Sequence, residues 1–344
     1  MGPDTGAVPV APGRRGVRVP RADTSLSPEH FRAAAEAARL APSIHNSQPW
    51  RFRRIEDGIA ILEDLDRSLP VIDPQGRDRT ISCGTALFNA LITLRAAGHL
   101  TALELLPDPA DPTLLGLVRT IGHHEPERLD QLLARAVPYR HTHRRVYRSH
   151  AVAEEDLLDL RQAVTTEGAR LSVADPASRR RLAHLLRQAV DDQRDDPELR
   201  SEVERWVRRE DAATTPVDGI PVHALGSSPY PVDSLVHGGH RGARDAEEIE
   251  DEFARSTVLV ISTRHDTRHD WLITGLALQR LLLVATGKGL VATFADQALQ
   301  DARLRPQVAE VLGIWGRPHI LIRIGRALVA APVTPRRRLE QILE

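Results

Sequence analysis

Apolar and polar positions sort the chain into elements. Phe31, Ala34, Ala35 and Ala38 recur at helical spacing behind Ser27-Pro28, a serine cap with proline in the first turn. A helix is therefore predicted over 31–40, stopping before Pro42. Residues 48–54 and 59–65 alternate as strands, and Glu56-Asp57-Gly58 supplies a hairpin turn between them. Residues 66–79, with Pro70, Pro74 and Gly76, read as a polar loop. Residues 81–97 carry one charge, Arg95, and a helix apolar on nearly every side has to be buried. A strand over 114–121 and a short helix over 129–137 follow, before Pro138.

The second half repeats the first. Residues 272–290 form another nearly uncharged helix. Laid over 81–99, it aligns Gly84 with Gly275, Ala86 with Ala277, Leu87 with Leu278, Leu91 with Leu282 and Gly98 with Gly289. The glycines carry the weight of that match, because leucine and alanine coincide easily by chance. Strands are predicted over 169–175, 257–263 and 318–326, and an amphipathic helix over 179–192. Two lobes follow, 25–137 and 138–344, behind a flexible tail over 1–24. Residues 207–246 are rich in glycine and proline; a stretch of that length is a lid, a binding loop or disorder.

Composition narrows the function. The 344 residues carry 46 basic and 47 acidic side chains, which calls for neither nucleic acid nor an anionic membrane. Cys83 is the single cysteine, so neither an intramolecular disulfide nor a cysteine-based zinc site is available. The N-terminal residues lack an apolar run long enough for a signal peptide or a spanning helix, so a cytoplasmic protein is expected.

Candidate chemistry concentrates in three places. Ser43, Asn46, Ser47 and Gln48 lie in a bend between Pro42 and Pro49, either a holder for a flat, polar-edged ligand or an ordinary helix-to-strand turn. Arg140, Thr142 and Arg144 would share one face of an extended segment. Two guanidiniums beside a hydroxyl suit a phosphate, although a solvated basic strand has the same pattern. His141 and His143 would face the other way and lack a third metal ligand, so no metal site is assigned. Arg323, Arg336 and Arg337 gather on and after the last strand, where they are a solvated surface or a second anion contact. No dinucleotide glycine motif, phosphate loop, nucleophile elbow or His-Glu-x-x-His is present.

The run from Ala38 to Phe52, with Pro42-Ser43-Ile44-His45-Asn46-Ser47-Gln48-Pro49-Trp50, resembles the flavin-binding signature of the nitroreductase superfamily. Together with Arg79-Thr80-Ile81-Ser82-Cys83-Gly84, Arg140-His141-Thr142-His143-Arg144-Arg145, Asp270-Trp271-Leu272 and Thr334-Pro335-Arg336-Arg337, it is similar to the Acg-type fused, two-lobed members. The resemblance implies an α+β, nitroreductase-like fold with antiparallel-rich mixed sheets packed by helices, its two lobes mimicking the family homodimer in one chain. It implies FMN as cofactor, with Pro42, Ser43, Ile44, Asn46 and Gln48 contributed by the first lobe. Arg140, Thr142 and Arg144 would serve from the second lobe, Ala292, Thr293 and Phe294 would approach the reactive edge of the ring, and Arg323, Arg336 and Arg337 would neutralise phosphate. It also implies NAD(P)H as donor and a nitroaromatic or quinone-like acceptor, with no protein acid or base required. A flavin holder closed by a lid over 207–246 is the alternative. The family lysine near the flavin pyrimidine has no counterpart here.

Overall fold

The computed structural model describes residues 24–145, 147–209, 217–225, 253 and 255–344. The expected tail, save Thr24, and residues 210–216 and 226–246 of the expected insertion lie outside them.

Helix α1 (Pro28–Ala38) starts where Ser27 accepts a hydrogen bond from the His30 amide at 3.1 Å. Its alanine face is buried. Strands β1 (Trp50–Ile55) and β2 (Gly58–Glu63) make the predicted hairpin. With β3 (His99–Leu105) and β4 (Leu114–His123) they form an antiparallel sheet of order β1-β2-β4-β3. Helix α2 (Arg77–Ala96) begins inside the predicted polar loop. The Asp73 carboxylate accepts from the amides of Asp78 (3.2 Å) and Arg79 (2.9 Å), so charged residues that read as loop become a capped first turn.

After α3 (Arg128–Ala136) the chain builds the second lobe: α4 (Glu154–Thr166), β5 (Arg170–Val173), α5 (Pro176–Asp195) and α6 (Pro197–Arg205). Strands β6 (Val207–Arg208) and β7 (Ile220–Pro221) pair in parallel, so the start of the predicted irregular stretch is ordered by backbone bonds and by burial of Ile220. A helical turn α7 (Val222–Leu225), β8 (Thr257–Thr263), α8 (Arg268–Gly287), β9 (Val291–Phe294), α9 (Gln297–Gln300), α10 (Arg305–Leu312) and β10 (Arg317–Gly325) follow. The second sheet has the order β5-β8-β10-β9, antiparallel throughout. The segment expected as a loop at Ala292, Thr293 and Phe294 is β9; four residues beside a glycine carry too little alternation to announce a strand.

Helices α2 and α8 pack against each other between the sheets. Both read as almost uncharged because both are enclosed. One pair of buried side chains is joined across the seam: Gln279 Nε2 donates to Asn89 Oδ1 at 2.7 Å, and Asn89 Nδ2 donates on to the Ala37 carbonyl of α1 at 2.8 Å. Glu63 receives Arg79 (2.7 Å) from the first lobe and Arg268 (3.1 Å) from the second.

Each sheet has an edge covered by a distant segment. Phe52 of β1 donates to the Ile342 carbonyl (2.8 Å) and accepts from the Glu344 amide (2.9 Å), so the C-terminus closes the first sheet. The Ala292 carbonyl of β9 accepts from the His143 amide (2.8 Å), and Thr142 bridges Ala292. These two closures bring the arginine-rich segments to the bend after α1. No helix among the described residues is long and apolar enough to cross a membrane.

Candidate functional site

The bend from Pro42 to Pro49 is held against its own preferences. His45, Asn46 and Gln48 adopt positive φ values of 46°, 54° and 52°, which cost a residue with a Cβ on the order of 1 kcal/mol each. Side chains from elsewhere fix it. Ser43 Oγ accepts from the Gln48 amide (2.9 Å), Ser82 Oγ from the Ile44 amide (3.1 Å), and Thr85 Oγ1 donates to the Pro42 carbonyl (2.9 Å). Asn46 Nδ2 donates to the carbonyls of Gly219 (2.8 Å) and Pro335 (2.9 Å), while Asn46 Oδ1 accepts from Arg336 (2.9 Å). Gln48 Nε2 donates to the Val217 carbonyl (3.0 Å) and its Oε1 accepts from the Arg337 amide (2.8 Å). Asn46 and Gln48 thus brace the bend, whereas Pro42, Ser43 and Ile44 face a cavity.

That cavity encloses about 1050 Å³ of non-atom space, solvent at its mouth included, and both lobes build it. Its lining mixes apolar side chains with a few convergent polar ones, as ligand sites do. Thr142, Arg144, Thr293 and Phe294 line it from the second sheet, together with Ile220 from β7. Ala292 is buried one residue behind, bridged to Thr142. Tyr147 Oη and Thr293 Oγ1 lie 2.6 Å apart, and Thr293 also donates to the His143 carbonyl.

Beside the bend the charge balance is one-sided. Arg140 is buried, and its described bond is a 3.5 Å contact to the Leu40 carbonyl. Arg336 reaches Thr334, Pro335, Asn46 and the Leu40 and Ala41 carbonyls. The Nε atoms of both are buried without a hydrogen-bond partner. Burial, then repulsion from Arg144, pulls the Arg140 guanidinium down to about 10. Burial, then Arg140, Arg39 and Arg144, pulls Arg336 down to about 9. Among the described residues no carboxylate offsets either shift. Buried like charges with unused donors are expensive unless an anion joins them, so the cluster fits a phosphate. Arg323 lies in β10 with its guanidinium 4.7 Å from the Tyr147 ring centre, and burial lowers it to about 10. Arg337 is engaged with Asp64 (3.3 Å).

Sequence reasoning missed several cavity residues. His45 lines it and is held down to about 4, by burial first and Arg144 second, against Asp78. Asp78, Ser82 and Thr85 follow one face of α2 at helical spacing, a signal hidden while α2 was taken to start at 81. Gln193 comes from α5, whereas Asp296, Gln297 and Gln300 belong to the short turn of helix at α9, too brief to announce itself. Burial, then the Asp78 charge, raises the Asp296 carboxyl well above the ordinary range. Lys288, the only lysine, is bound to Asp156 (3.0 Å) and Asp159 (2.6 Å) and does not line the cavity. Among the described residues no group of three histidine, cysteine or acidic side chains could hold a metal ion.

The chain is similar to several known proteins. The chain is 32% identical over 326 residues to a Mycobacterium tuberculosis protein named "Putative NAD(P)H nitroreductase Rv3131", covering 92% of this chain and 91% of the other. It is 29% identical over 334 residues to that organism's "Putative NAD(P)H nitroreductase acg", covering 93% and 97%. Among solved structures, the FMN-dependent nitroreductase NfnB from Mycobacterium smegmatis, in complex with NADPH, aligns over 62% of this chain and 97% of its own, with 21% identity and a TM-score of 0.39. The Nitroreductase family profile matches residues 11–75 and 137–326, segments that contain the Pro42 to Pro49 bend and the Arg140, Thr142, Arg144 segment. With that match over most of its length, the chain belongs to the nitroreductase family.

Proposed function

We propose that the protein is an FMN-dependent oxidoreductase that accepts hydride from NAD(P)H and passes it to a flat acceptor, a nitroaromatic or quinone. The carrying observation is the pair of buried arginines, Arg140 and Arg336, each with an unpartnered Nε and each held down by burial and by neighbouring like charge, set beside a cavity built by both lobes. Arg140, Arg144 and Arg336 would hold the phosphate, Pro42, Ser43 and Ile44 would flank the ring system, and Thr142, Thr293 and Phe294 would meet it from the other lobe. When bound, FMN supplies two-electron chemistry at its N5; the protein's part is to position the ring, exclude water and restrict access. One chain would supply both halves of a site that a homodimer shares.

A second reading has its own support. Gly219 is clasped to the bend through Asn46, and Ile220 lines the cavity, so part of the 207–246 segment lies over the site as a closure would. A closed form would store FMN rather than turn it over. Anaerobic mixing of the yellow protein with NADH or NADPH separates the two: rapid bleaching of flavin absorbance supports the reductase, and unbleached flavin with slow FMN exchange supports the store.

A further inference from the structure

The cavity has a second polar region, chemically opposite to the arginine cluster. The arginines bond to Leu40 and Ala41, next to Pro42, which Thr85 holds. Asp78 lies seven residues earlier on α2, about 10 Å along the helix axis at 1.5 Å per residue. Around Asp78 the cavity wall carries unmet acceptors.

A relay fixes their direction. Asp78 is bound to Arg77 (2.9 Å) through Oδ1, and its Oδ2 accepts from Gln300 Nε2 at 3.1 Å. Gln300 Oε1 then accepts from Gln193 Nε2 at 3.3 Å. Flipping either amide would set oxygen against oxygen, so Gln193 must present Oε1 at the end of the chain. That atom is buried and unpartnered in a residue 7% exposed that lines the cavity. Gln297 Oε1, also in the lining, has no partner either. Asp296 uses Oδ1 to accept from the Leu321 amide (2.5 Å). Buried acceptors left unmet cost free energy unless a ligand donates to them. Burial and the Asp78 charge keep the Asp296 carboxyl raised in spite of Arg77, so a further bound cation would favour its ionised, accepting form.

We propose that this wall recognises the electron acceptor, and that it takes a planar molecule bearing a protonated amine or an equivalent N–H donor group. The inference rests on the FMN reading above. Neutral nitroaromatics and plain quinones would fill the cavity without meeting these acceptors.

The test uses FMN-loaded protein and three probes of similar shape: 4-nitrobenzylamine, neutral 4-ethylnitrobenzene and 4-nitrobenzoate. Their Kd values are read from perturbation of the oxidised flavin spectrum. The expected order is amine, then neutral, then anion, with the amine bound about tenfold tighter than the neutral probe. Gln193→Leu and Asp296→Asn should each shrink that ratio to about threefold or less with FMN affinity unchanged. Equal affinity of wild-type protein for amine and neutral probe overturns the proposal, and needs no variant. So does a preference that survives both substitutions, or a loss of FMN affinity in them, which would give the wall to the flavin. Protein that takes up no FMN removes this inference and the reading beneath it; yellow protein that ranks the probes equally removes this one alone.

Discussion

Gly84 and Gly275 meet backbone against backbone where α2 crosses α8: a Cβ added to Gly275 would stand 2.3 Å from the Ile81 carbonyl oxygen and 2.7 Å from the Gly84 Cα. One glycine pair aligned by the internal repeat thus sits where the two helices cross. Neither has a positive φ, so the requirement is space alone. Gly275→Ala should destabilise the protein by about 2–3 kcal/mol, because backbone cannot move aside as a side chain can. Gly287→Ala, with nothing within 4 Å, should be neutral or stabilising by up to about 1 kcal/mol. Urea unfolding of both variants measures the contrast.

Removing a buried charge that has no counter-ion among the described residues should help the empty protein and harm the loaded one. Arg140→Met is expected to raise the apo-protein Tm, since it relieves desolvation and repulsion from Arg144. The same change should weaken FMN binding by about 10- to 100-fold, the worth of a charge-assisted bond to phosphate. Calorimetry and flavin titration on one preparation give both signs. A fall in both would mean that Arg140 serves packing alone.

His45 makes the apo-protein acid-sensitive in a defined window. Its folded-state value of about 4 lies below the ordinary 6.5, so between these pH values the unfolded chain binds a proton that the folded chain refuses. Stability is then full above about pH 6.5 and falls as pH drops toward 4. His45→Asn keeps a side chain suited to φ 46° and removes the titration. It should lose about 2 kcal/mol less than wild type between pH 7 and 4.5, as compared by urea unfolding.

Asn46 ties the bend to two distant segments at once. Asn46→Ala breaks its bonds to Gly219, Pro335 and Arg336 and places a less suitable residue at φ 54°. Amide exchange at Gly219 and Ile220 should accelerate at least tenfold, one lost hydrogen bond in free energy. If the segment restricts access, reduction by NADPH should speed up as well. Stopped-flow traces identical to wild type would count against that restriction.

How much could be read from the letters depended on how local each signal was. Helices α2 and α8 were legible because enclosure on all sides forces long uncharged runs, and the bend because proline brackets it at positions 42 and 49. Strand β3 was not: His99 to Leu105 follows Gly98 directly and mixes Thr101 and Glu104 into its alternation. Helix α4 begins Glu154-Glu155-Asp156, favourable at a helix start yet easily taken for surface loop. The acceptor wall was beyond sequence reading altogether. Asp78, Gln193 and the Asp296 to Gln300 stretch become neighbours only when α2, α5 and α9 converge, and three segments so far apart along a chain leave no shared spacing to notice.

The pairing of β1 with the segment after Arg336 couples a sheet edge to the bend. Phe52 is hydrogen-bonded to Ile342 and Glu344 at that edge, and earlier on the same segment Arg336 donates to Asn46. A disturbance of the strand at Phe52 is thereby passed along a short tether to the bend, so the edge acts as a rein on the loop rather than as a mere border.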